Sequence, residues 1–461
     1  MSFASPAFLA FILMVAAIYG VVPKSWRCSL LLIASYGYYF LSNGWFALLL
    51  LATTLSAFFA ARSRSRALVA ATAILVALLV FKSLPLMGIN GLFPLGISYY
   101  TFKLAGYLID AHWGVAEPER RLIPFLTYTA YFPQILAGPI QRAQTFLPQV
   151  ESAERPSSSS VIYGLSRILL GLIKKFLIAD RLGYLVDYIY AHIAGHPGAP
   201  VVLAFYGYPL QLYADFSALS DIAIGASALM GITSPENFLA PFSAPSPSEY
   251  WRRWHITLTQ WMVSYVFTPL RMAFRGLGKF GLVISILINM IAIGLWHGLY
   301  WTFALFGAVH AIFLSVDALT QGLRKQWYRR HVWAKRAAAF IGPIVTFNLI
   351  AVAAVIFRAD SIKTAYMLFS HLGDGWGPLV PELSSQVGNP ISYFGALAVT
   401  FIFVEGIEAW RRRGHAIPAI SALPRWCGWS IYATTAAGVF LTFCLLLTSN
   451  LDNNPFIYAV F

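Results

Sequence analysis

Apolar runs close to the length of a bilayer-spanning helix recur along the whole of this 461-residue chain. A helix needs about 20 mostly apolar residues to cross the hydrocarbon core. Only 11% of the residues are charged and 59% are hydrophobic, whereas soluble domains carry roughly 25% charged residues. A chain with so few charged residues cannot form the polar surface that a soluble protein of this size needs. We therefore predict an all-α polytopic membrane protein.

The apolar runs predict about 10–12 crossings, because several runs are too short or too polar to span the bilayer simply. The segments 93–111 and 122–137 are broken by Pro94, Pro133 and Pro139. Irregular backbone survives at membrane depth only where protein or water surrounds it, so these segments are predicted to be re-entrant. No internal repeat is visible, and we expect a single membrane-embedded domain over residues 1–461.

Net charge is +14. Because Lys and Arg collect at cytoplasmic membrane edges, this charge favours a bilayer partner, and we expect no nucleic acid. The basic clusters at Arg62–Arg66, Arg324–Arg336 and Arg411–Arg413 are predicted to be cytoplasmic. The segment His371–Pro390 lacks basic residues and is predicted to lie outside. The first span, about Ala4–Val22, has no preceding basic residue, so we expect an uncleaved helix with its N-terminus outside.

The sequence lacks the local motifs of several common chemistries. Cys28, Cys427 and Cys444 form no C-x-x-C pair, which predicts neither a zinc site nor a disulfide framework. There is no Walker A loop, no H-E-x-x-H pair, no dinucleotide fingerprint and no G-x-S-x-G elbow. We expect no metal site.

His297 lies in the middle of the apolar stretch "IGLWHGLYWTF", with Trp296 beside it. Intramembrane ionisable residues are functional hypotheses by default, although a structural hydrogen bond to a neighbouring helix explains many of them. Gly294 and Gly298 bracket the histidine and leave room for another backbone or a substrate. Apolar surroundings disfavour the charged imidazole, and a neutral imidazole is what a general base requires.

His255 lies in "YWRRWHITLTQW", on a different element. The preceding Ser246-Pro247-Ser248-Glu249 has the composition of a helix N-terminus. We predict one interface-lying helix from about Pro247 to Thr268, with Trp251 and His255 on one face. His255 is interpreted either as an interfacial histidine or as a second residue of a site that contains His297.

Other polar residues of the apolar segments favour structural roles. His310 would lie about 20 Å from His297 on a continuous helix, so the two would share no site unless Gly298 breaks that helix. We interpret His310 as structural. Asp215 and Asp221 need partners in an apolar span, and structural ion pairs are the favoured interpretation. The candidate partners are Arg142, Lys174 and Arg253. From the residues alone, group transfer with a histidine base and transport through a polar cavity both remain open.

The same residues carry a family resemblance. The matching stretches, in chain order, are "LLLIASYGYYF" (Leu30–Phe40), "FPLGISYYTFKLAGYLID" (Phe93–Asp110), "YFPQILAGPIQR" (Tyr131–Arg142), "GLIKKFLIADRL" (Gly171–Leu182), "LQLYADFSALSDIAIG" (Leu210–Gly225), "ENFLAPFSAPSPSEYWRRWHITLTQW" (Glu236–Trp261), "GLWHGLYWTFALFGAVH" (Gly294–His310) and "VIFRAD" (Val355–Asp360). The chain resembles the membrane-bound O-acyltransferases, and more narrowly the bacterial branch of the alginate O-acetylation membrane subunit and the D-alanyl-lipoteichoic-acid transfer protein. The most family-like part is about 30–360, followed by C-terminal helices over 361–461.

The resemblance implies a ring-like helical bundle with re-entrant and interfacial helices around a thin centre. It implies that His297 is the general base and that His255 orients the acceptor or stabilises the oxyanion. The residues expected to bind substrate are Trp296, Trp254, Arg253, Asp215, Asp221 and Arg142. After the His255 element, Val263-Ser264 stands where alginate-type relatives carry an Arg-Asp pair, so the acceptor is left open.

The resemblance also implies the reactants and their location. The donor would be acyl-CoA, in particular acetyl-CoA, or an acyl carrier protein, with no permanently bound cofactor. The acceptor would be an envelope polysaccharide or glycolipid, reached directly or through a periplasmic esterase-like acyltransferase partner. The location would be the bacterial inner membrane. The alternative that we keep is a transporter or flippase for an envelope precursor.

Overall fold

The protein is an all-α polytopic membrane protein. The computed structural model describes residues 5–89, 93–193, 198–374 and 390–412, together with positions 430, 433, 434 and 437. It is 82% helical, and the described residues contain no strand. Four described helical segments are long and apolar enough to cross a membrane, namely Arg64–Met87, Arg275–His297, Trp301–Arg330 and Val332–Arg358. The ring shape and the count of about 10–12 crossings stay predictions.

In chain order the helices are α1 (Pro6–Val21), α2 (Lys24–Asn43), α3 (Phe46–Ala60), α4 (Arg64–Ser83), α5 (Ile97–Trp113), α6 (Leu122–Ala130), α7 (Ala143–Ser152), α8 (Ser158–Ile173), α9 (Asp180–Ala191), α10 (Ala199–Leu229), α11 (Pro247–Trp251), α12 (Ile256–Met262), α13 (Thr268–Ala273), α14 (Gly278–His297), α15 (Trp301–Arg330), α16 (Val332–Arg358), α17 (Ile362–Ser370) and α18 (Pro390–Arg412). Two π-helical segments, Lys174–Ala179 and Val263–Phe267, interrupt the α-helical geometry.

The chain divides into two compact units whose sequence segments alternate. Among the described residues, the first unit holds 5–173 and 216–236. The second unit holds 174–215 and the described residues between 237 and 412. Helix α10 contributes its first half to the second unit and its second half to the first. The expectation of a single domain over 1–461 stays a prediction.

A buried irregular segment follows α6 in the first unit. Helix α6 has 9 residues, a length of only about 14 Å, which is too short to cross a bilayer. The chain from 131 to 141 has no helix and is buried throughout. Buried Lys103 donates to the carbonyl of Tyr128 at 3.0 Å and to Oε1 of Gln134 at 2.9 Å. The interruption near Pro133 is therefore confirmed, and the re-entrant path stays a prediction.

Helices α14 and α15 form a close hairpin in the second unit. A Cβ on Gly294 would lie 2.1 Å from the carbonyl oxygen of Phe303, and one on Gly307 would lie 2.5 Å from that of Met290. These glycines therefore let the two backbones touch, as small residues do in membrane helix pairs. Helix α14 ends at His297, and the extended Gly298 follows it.

The single helix predicted over Pro247–Thr268 is wrong. The N-terminus is confirmed, because the Ser246 side chain accepts a hydrogen bond from the Glu249 amide and proline occupies the first turn. The helix ends at Trp251, however, and helix α12 begins only at Ile256. The helical face shared by Trp251 and His255 is therefore absent, since His255 lies outside both helices.

Several expectations fall outside the described residues. They concern Cys427, Cys444, most of the segment His371–Pro390 and the end of the basic cluster at Arg413. The same holds for most of the predicted C-terminal helices between 413 and 461.

Candidate functional site

His297 is enclosed by aromatic side chains at the C-terminal end of α14. Only 5% of its surface is exposed. Its ring centroid lies 4.8 Å from that of Trp296, 5.0 Å from that of Phe357 and 6.3 Å from that of Phe303. A Cβ on Gly298 would lie 2.5 Å from the Phe303 ring. Glycine at this position therefore allows the Phe303 ring to close over the end of α14.

His255 occupies the interruption between α11 and α12. Its backbone is left-handed, with φ 42° and ψ 53°, a conformation that is uncommon for residues other than glycine and usually marks a constraint imposed by the surroundings. The carbonyl of Asn237 accepts from the amide of Ile256 at 3.0 Å. The Asn237 Oδ1 accepts from the Thr257 hydroxyl at 2.7 Å. Asn237 thus holds the chain immediately after the left-handed residue.

The two histidines meet at one tryptophan. The His255 ring centroid lies 5.7 Å from that of Trp296, and His297 contacts the same indole from the next position of α14. All three side chains belong to the second unit and are buried. The interruption of the predicted long helix is what brings His255 to this position. Two imidazoles on one indole, in apolar surroundings, are suited to moving a proton at a reacting hydroxyl.

Trp254 and Arg253 directly precede His255 in the chain, and both are buried. Trp254 stacks on Tyr250 at 5.5 Å and packs edge-on against Phe238 at 5.1 Å. Arg253 donates from Nε and Nη2 to Oε1 of Glu249, at 2.9 and 2.8 Å. Nη1 of Arg253 also donates to the Ser243 hydroxyl at 3.0 Å, so the buried guanidinium joins α11 to the preceding turn while Glu249 balances its charge.

Asp215 forms a buried ion pair with a lysine that sequence analysis did not name. Lys175 Nζ lies 2.8 Å from Asp215 and 2.9 Å from Asp180. The neighbouring Lys174 pairs with Glu408 at 2.8 Å. The π-helical turn places two successive lysines so that each reaches a different carboxylate. The structural ion pair predicted for Asp215 is confirmed, with Lys175 as its partner.

Asp221 and Arg142 belong to the first unit. Asp221 pairs with Arg167 at 2.5 Å, and Arg167 also reaches Glu236 at 2.6 Å. The structural ion pair predicted for Asp221 is confirmed as well, again with a partner that was not among the candidates. Arg142 is exposed and occupies the N-cap position of α7, where its side chain makes no capping hydrogen bond. Asp221 and Arg142 therefore belong to a different unit from the histidine pair.

His310 is enclosed by its own set of contacts. Trp251 Nε1 donates to His310 Nδ1 at 3.2 Å, and the Phe306 ring centroid lies 4.6 Å away. Because Gly298 does end the helix, His297 and His310 lie on different helices. The hydrogen bond from Trp251 favours the structural role expected for His310.

Sequence analysis missed Asn237, Lys175 and Arg167. The adjacent lysines of "LIKKFL" were a usable signal, because two cations in an apolar run require partners. Asn237 gives no such signal, since its importance depends on a hydrogen bond to a residue 20 positions away.

Comparison with known proteins identifies the family of the chain. The family model of the membrane-bound O-acyltransferases matches residues 119–352. The chain is 34% identical over 279 residues to a probable alginate O-acetylase of Pseudomonas putida, covering 60% of this chain and 55% of the relative. It is 30% identical to a peptidoglycan O-acetyltransferase of Helicobacter pylori, covering 59% and 55%. It is 29% identical to a teichoic acid D-alanyltransferase of Bacillus subtilis, covering 57% and 68%.

The match extends over both histidines and over half of the chain. In turn, the chain spans about half the length of the first curated relatives that it matches. The matched region contains α6 to α15, most of α16 and the aromatic enclosure around His297 apart from Phe357. On this evidence, the chain belongs to the membrane-bound O-acyltransferase family.

Proposed function

We propose that the protein transfers an acyl group, in particular acetyl, from a cytosolic thioester to a hydroxyl of an envelope polymer. The observation that carries the proposal is the burial of His255 and His297 against the same indole, that of Trp296. The family match over these residues supports acyl transfer rather than transport. The names of the relatives, which refer to alginate, peptidoglycan and teichoic acid, support an envelope polymer as the acceptor class.

His297 acts as the general base in the proposed reaction. It takes the proton of the acceptor hydroxyl while that oxygen attacks the thioester carbonyl carbon. The carbon–sulfur bond then breaks, and the proton passes to the departing thiolate. The products are an ester and a free thiol, so atoms and charge balance without a further reactant. A positioned general base contributes about 10²–10⁴-fold, and alignment of the two reactants contributes more.

His255 orients the acceptor or stabilises the developing oxyanion. The left-handed backbone fixes the direction in which its side chain leaves the chain. Preorganised donors of this kind are effective because no reorganisation is needed when charge develops. Trp296 contacts both imidazoles and so helps to hold them in place.

The remaining expected site residues have different proposed roles. Trp254, Arg253 and Arg142 are proposed as contacts on the path of the substrates. Asp215 and Asp221 are proposed to act indirectly, because each carboxylate is engaged in a buried ion pair that fixes α10.

The donor is proposed to be acetyl-CoA or an acyl carrier protein, acting from the cytoplasmic face of a bacterial inner membrane. The acceptor is a polysaccharide or glycolipid on the opposite face. A periplasmic esterase-like acyltransferase is proposed as a partner where the acyl group is relayed. A tunnel through the thin centre that the family resemblance implies is proposed to let a cytosolic thioester serve an external hydroxyl without transport of the whole donor.

His297→Ala tests the proposal in purified protein reconstituted in proteoliposomes. With labelled acetyl-CoA and an envelope polysaccharide, transfer is expected to fall by about 10²–10⁴-fold. His331→Ala is the matched control, because His331 lies at the end of α15 beside Trp327, away from the two site histidines in sequence. Transfer by a folded His297→Ala protein at the wild-type rate would refute the role of His297.

A further inference from the structure

Asn289 is a buried polar residue that the proposed reaction leaves without a role. It lies on α14 and only 7% of its surface is exposed. Its Oδ1 has no hydrogen-bond partner among the described residues. Within the described part of the chain, its Nδ2 reaches only the Met290 sulfur, at 4.0 Å. Burying a carboxamide without hydrogen-bond partners is unfavourable, so its presence in an apolar helix requires an explanation.

The position of Asn289 on α14 links it to the histidine pair. Asn289 and Trp296 are seven residues apart, so they lie on the same stripe of the helix, about 10 Å apart along its axis. The stripe is buried and also contains Ile293. Asn289 therefore points to the side of α14 that carries the indole contacted by both imidazoles.

Asn289 lies between the basic end of α14 and His297. Arg275, just before α14, and Lys279, in its first turn, are exposed, and the paired α15 ends with Arg329 and Arg330. Such charges mark the cytoplasmic edge. A donor that enters from that edge along α14 passes Asn289 about 12 Å before it reaches His297.

The proposed donors share a chemical group whose distance from the thioester is close to the distance between Asn289 and His297 along α14. CoA and acyl carrier proteins both present the acyl group on a pantetheine arm, which contains two secondary amides. The farther amide lies roughly 10 Å from the thioester carbon when the arm is extended with standard bond lengths. A secondary amide has one donor and one acceptor, and a carboxamide offers both complements.

We propose that Asn289 binds the farther amide of the donor's pantetheine arm and so positions the thioester at His297. The inference rests on the proposed function, because it requires a thioester donor. Donor binding then satisfies the carboxamide that has no hydrogen-bond partner for its Oδ1 among the described residues. Asn289 is thus a donor-specificity residue and takes no part in the proton transfer.

The test compares two donors in the wild-type protein and in Asn289→Leu. S-acetylpantetheine contains both amides, whereas S-acetyl-N-acetylcysteamine lacks the farther one. Loss of one neutral hydrogen bond is expected to lower kcat/KM for S-acetylpantetheine by about 3- to 10-fold. The rate with S-acetyl-N-acetylcysteamine is expected to stay unchanged. Leucine has a similar shape and removes an unsatisfied polar group, so the variant is expected to fold.

Asn348→Leu is the matched control, because it makes the same replacement at a partly exposed asparagine of α16. This variant is expected to treat both donors as the wild type does. Equal losses with the two donors in Asn289→Leu would reveal a structural role and overturn the inference. Unchanged rates with both donors would overturn it as well.

A second measurement needs no variant. In the wild type, a donor whose farther amide is replaced by two methylene groups should lose the same 3- to 10-fold or so relative to S-acetylpantetheine. Equal rates with these two donors would overturn the inference while acyl transfer itself stands. A wild-type protein that transfers from none of the thioesters would instead overturn the proposed function, and the inference with it.

Discussion

At the scale of single residues, the unusual backbone of His255 is as informative as its side chain. A non-glycine residue in the left-handed region costs of order 1 kcal/mol or more. The chain tolerates this conformation because Asn237 holds the amide of Ile256 and the hydroxyl of Thr257. The strain turns a buried imidazole toward Trp296, next to His297. Selection for stability alone would favour glycine at this position.

Substitution of His255 separates strain from chemistry. His255→Gly is expected to unfold at a higher temperature than His255→Ala, because glycine adopts φ 42° without the penalty of about 1 kcal/mol for a Cβ. Both variants are expected to lose acyl transfer. Thermal unfolding in detergent and a transfer assay measure the two effects. Greater stability of the alanine variant would contradict the account of the backbone.

The residue-level site was only partly readable from the sequence. The motifs around His297 and His255 could be recognised, and the N-cap at Ser246 followed from local side-chain chemistry. Ion-pair partners could not be assigned, because the rotation of one helix against another decides which cation a carboxylate meets. Lys175 therefore replaced the neighbouring Lys174 as the partner of Asp215.

At the scale of helices, the α14–α15 hairpin sets the position of the proposed base. The hairpin turns immediately after His297, and Gly294 and Gly307 bring the backbones into contact. Sequence patterns predicted the apolar helices, because composition and length decide whether a segment can span a bilayer. They missed the interruption after Trp251, because "RRWH" contains neither glycine nor proline and the interruption depends on tertiary hydrogen bonds that Thr257 donates to Asn237.

Gly294→Ala tests the dependence of the site on the hairpin. The added Cβ would lie 2.1 Å from the Phe303 carbonyl oxygen, so the helices must separate, at an expected cost of about 1–3 kcal/mol in stability. A shift of about 1 Å at His297 would lower transfer by roughly 10²-fold. Gly322→Ala on α15 is the control, because no atom lies within 4 Å of a Cβ at that position. Wild-type stability and activity in Gly294→Ala would contradict the role of the close contact.

At the scale of the whole molecule, the chain combines two compact units with one family match that extends over parts of both. The histidine pair lies in the second unit, and the Arg167–Asp221 pair stabilises the first. Composition was enough to predict a polytopic helical protein. The division into units was not predictable, because α10 contributes to both and only long-range contacts reveal where one unit ends. The acceptor cannot be inferred from scaffold alone, since related proteins are named for different envelope polymers.

The most direct test of the central claim follows both parts of a doubly labelled acetyl-CoA, with one label on the acetyl group and another on CoA. Purified wild-type protein in proteoliposomes is supplied with this donor and an envelope polysaccharide. The account predicts that acetyl label enters the acceptor while an equal amount of free CoA thiol is released on the donor side, and that His297→Ala stops both. Movement of an envelope precursor across the membrane without thiol release or acetylated product would contradict it.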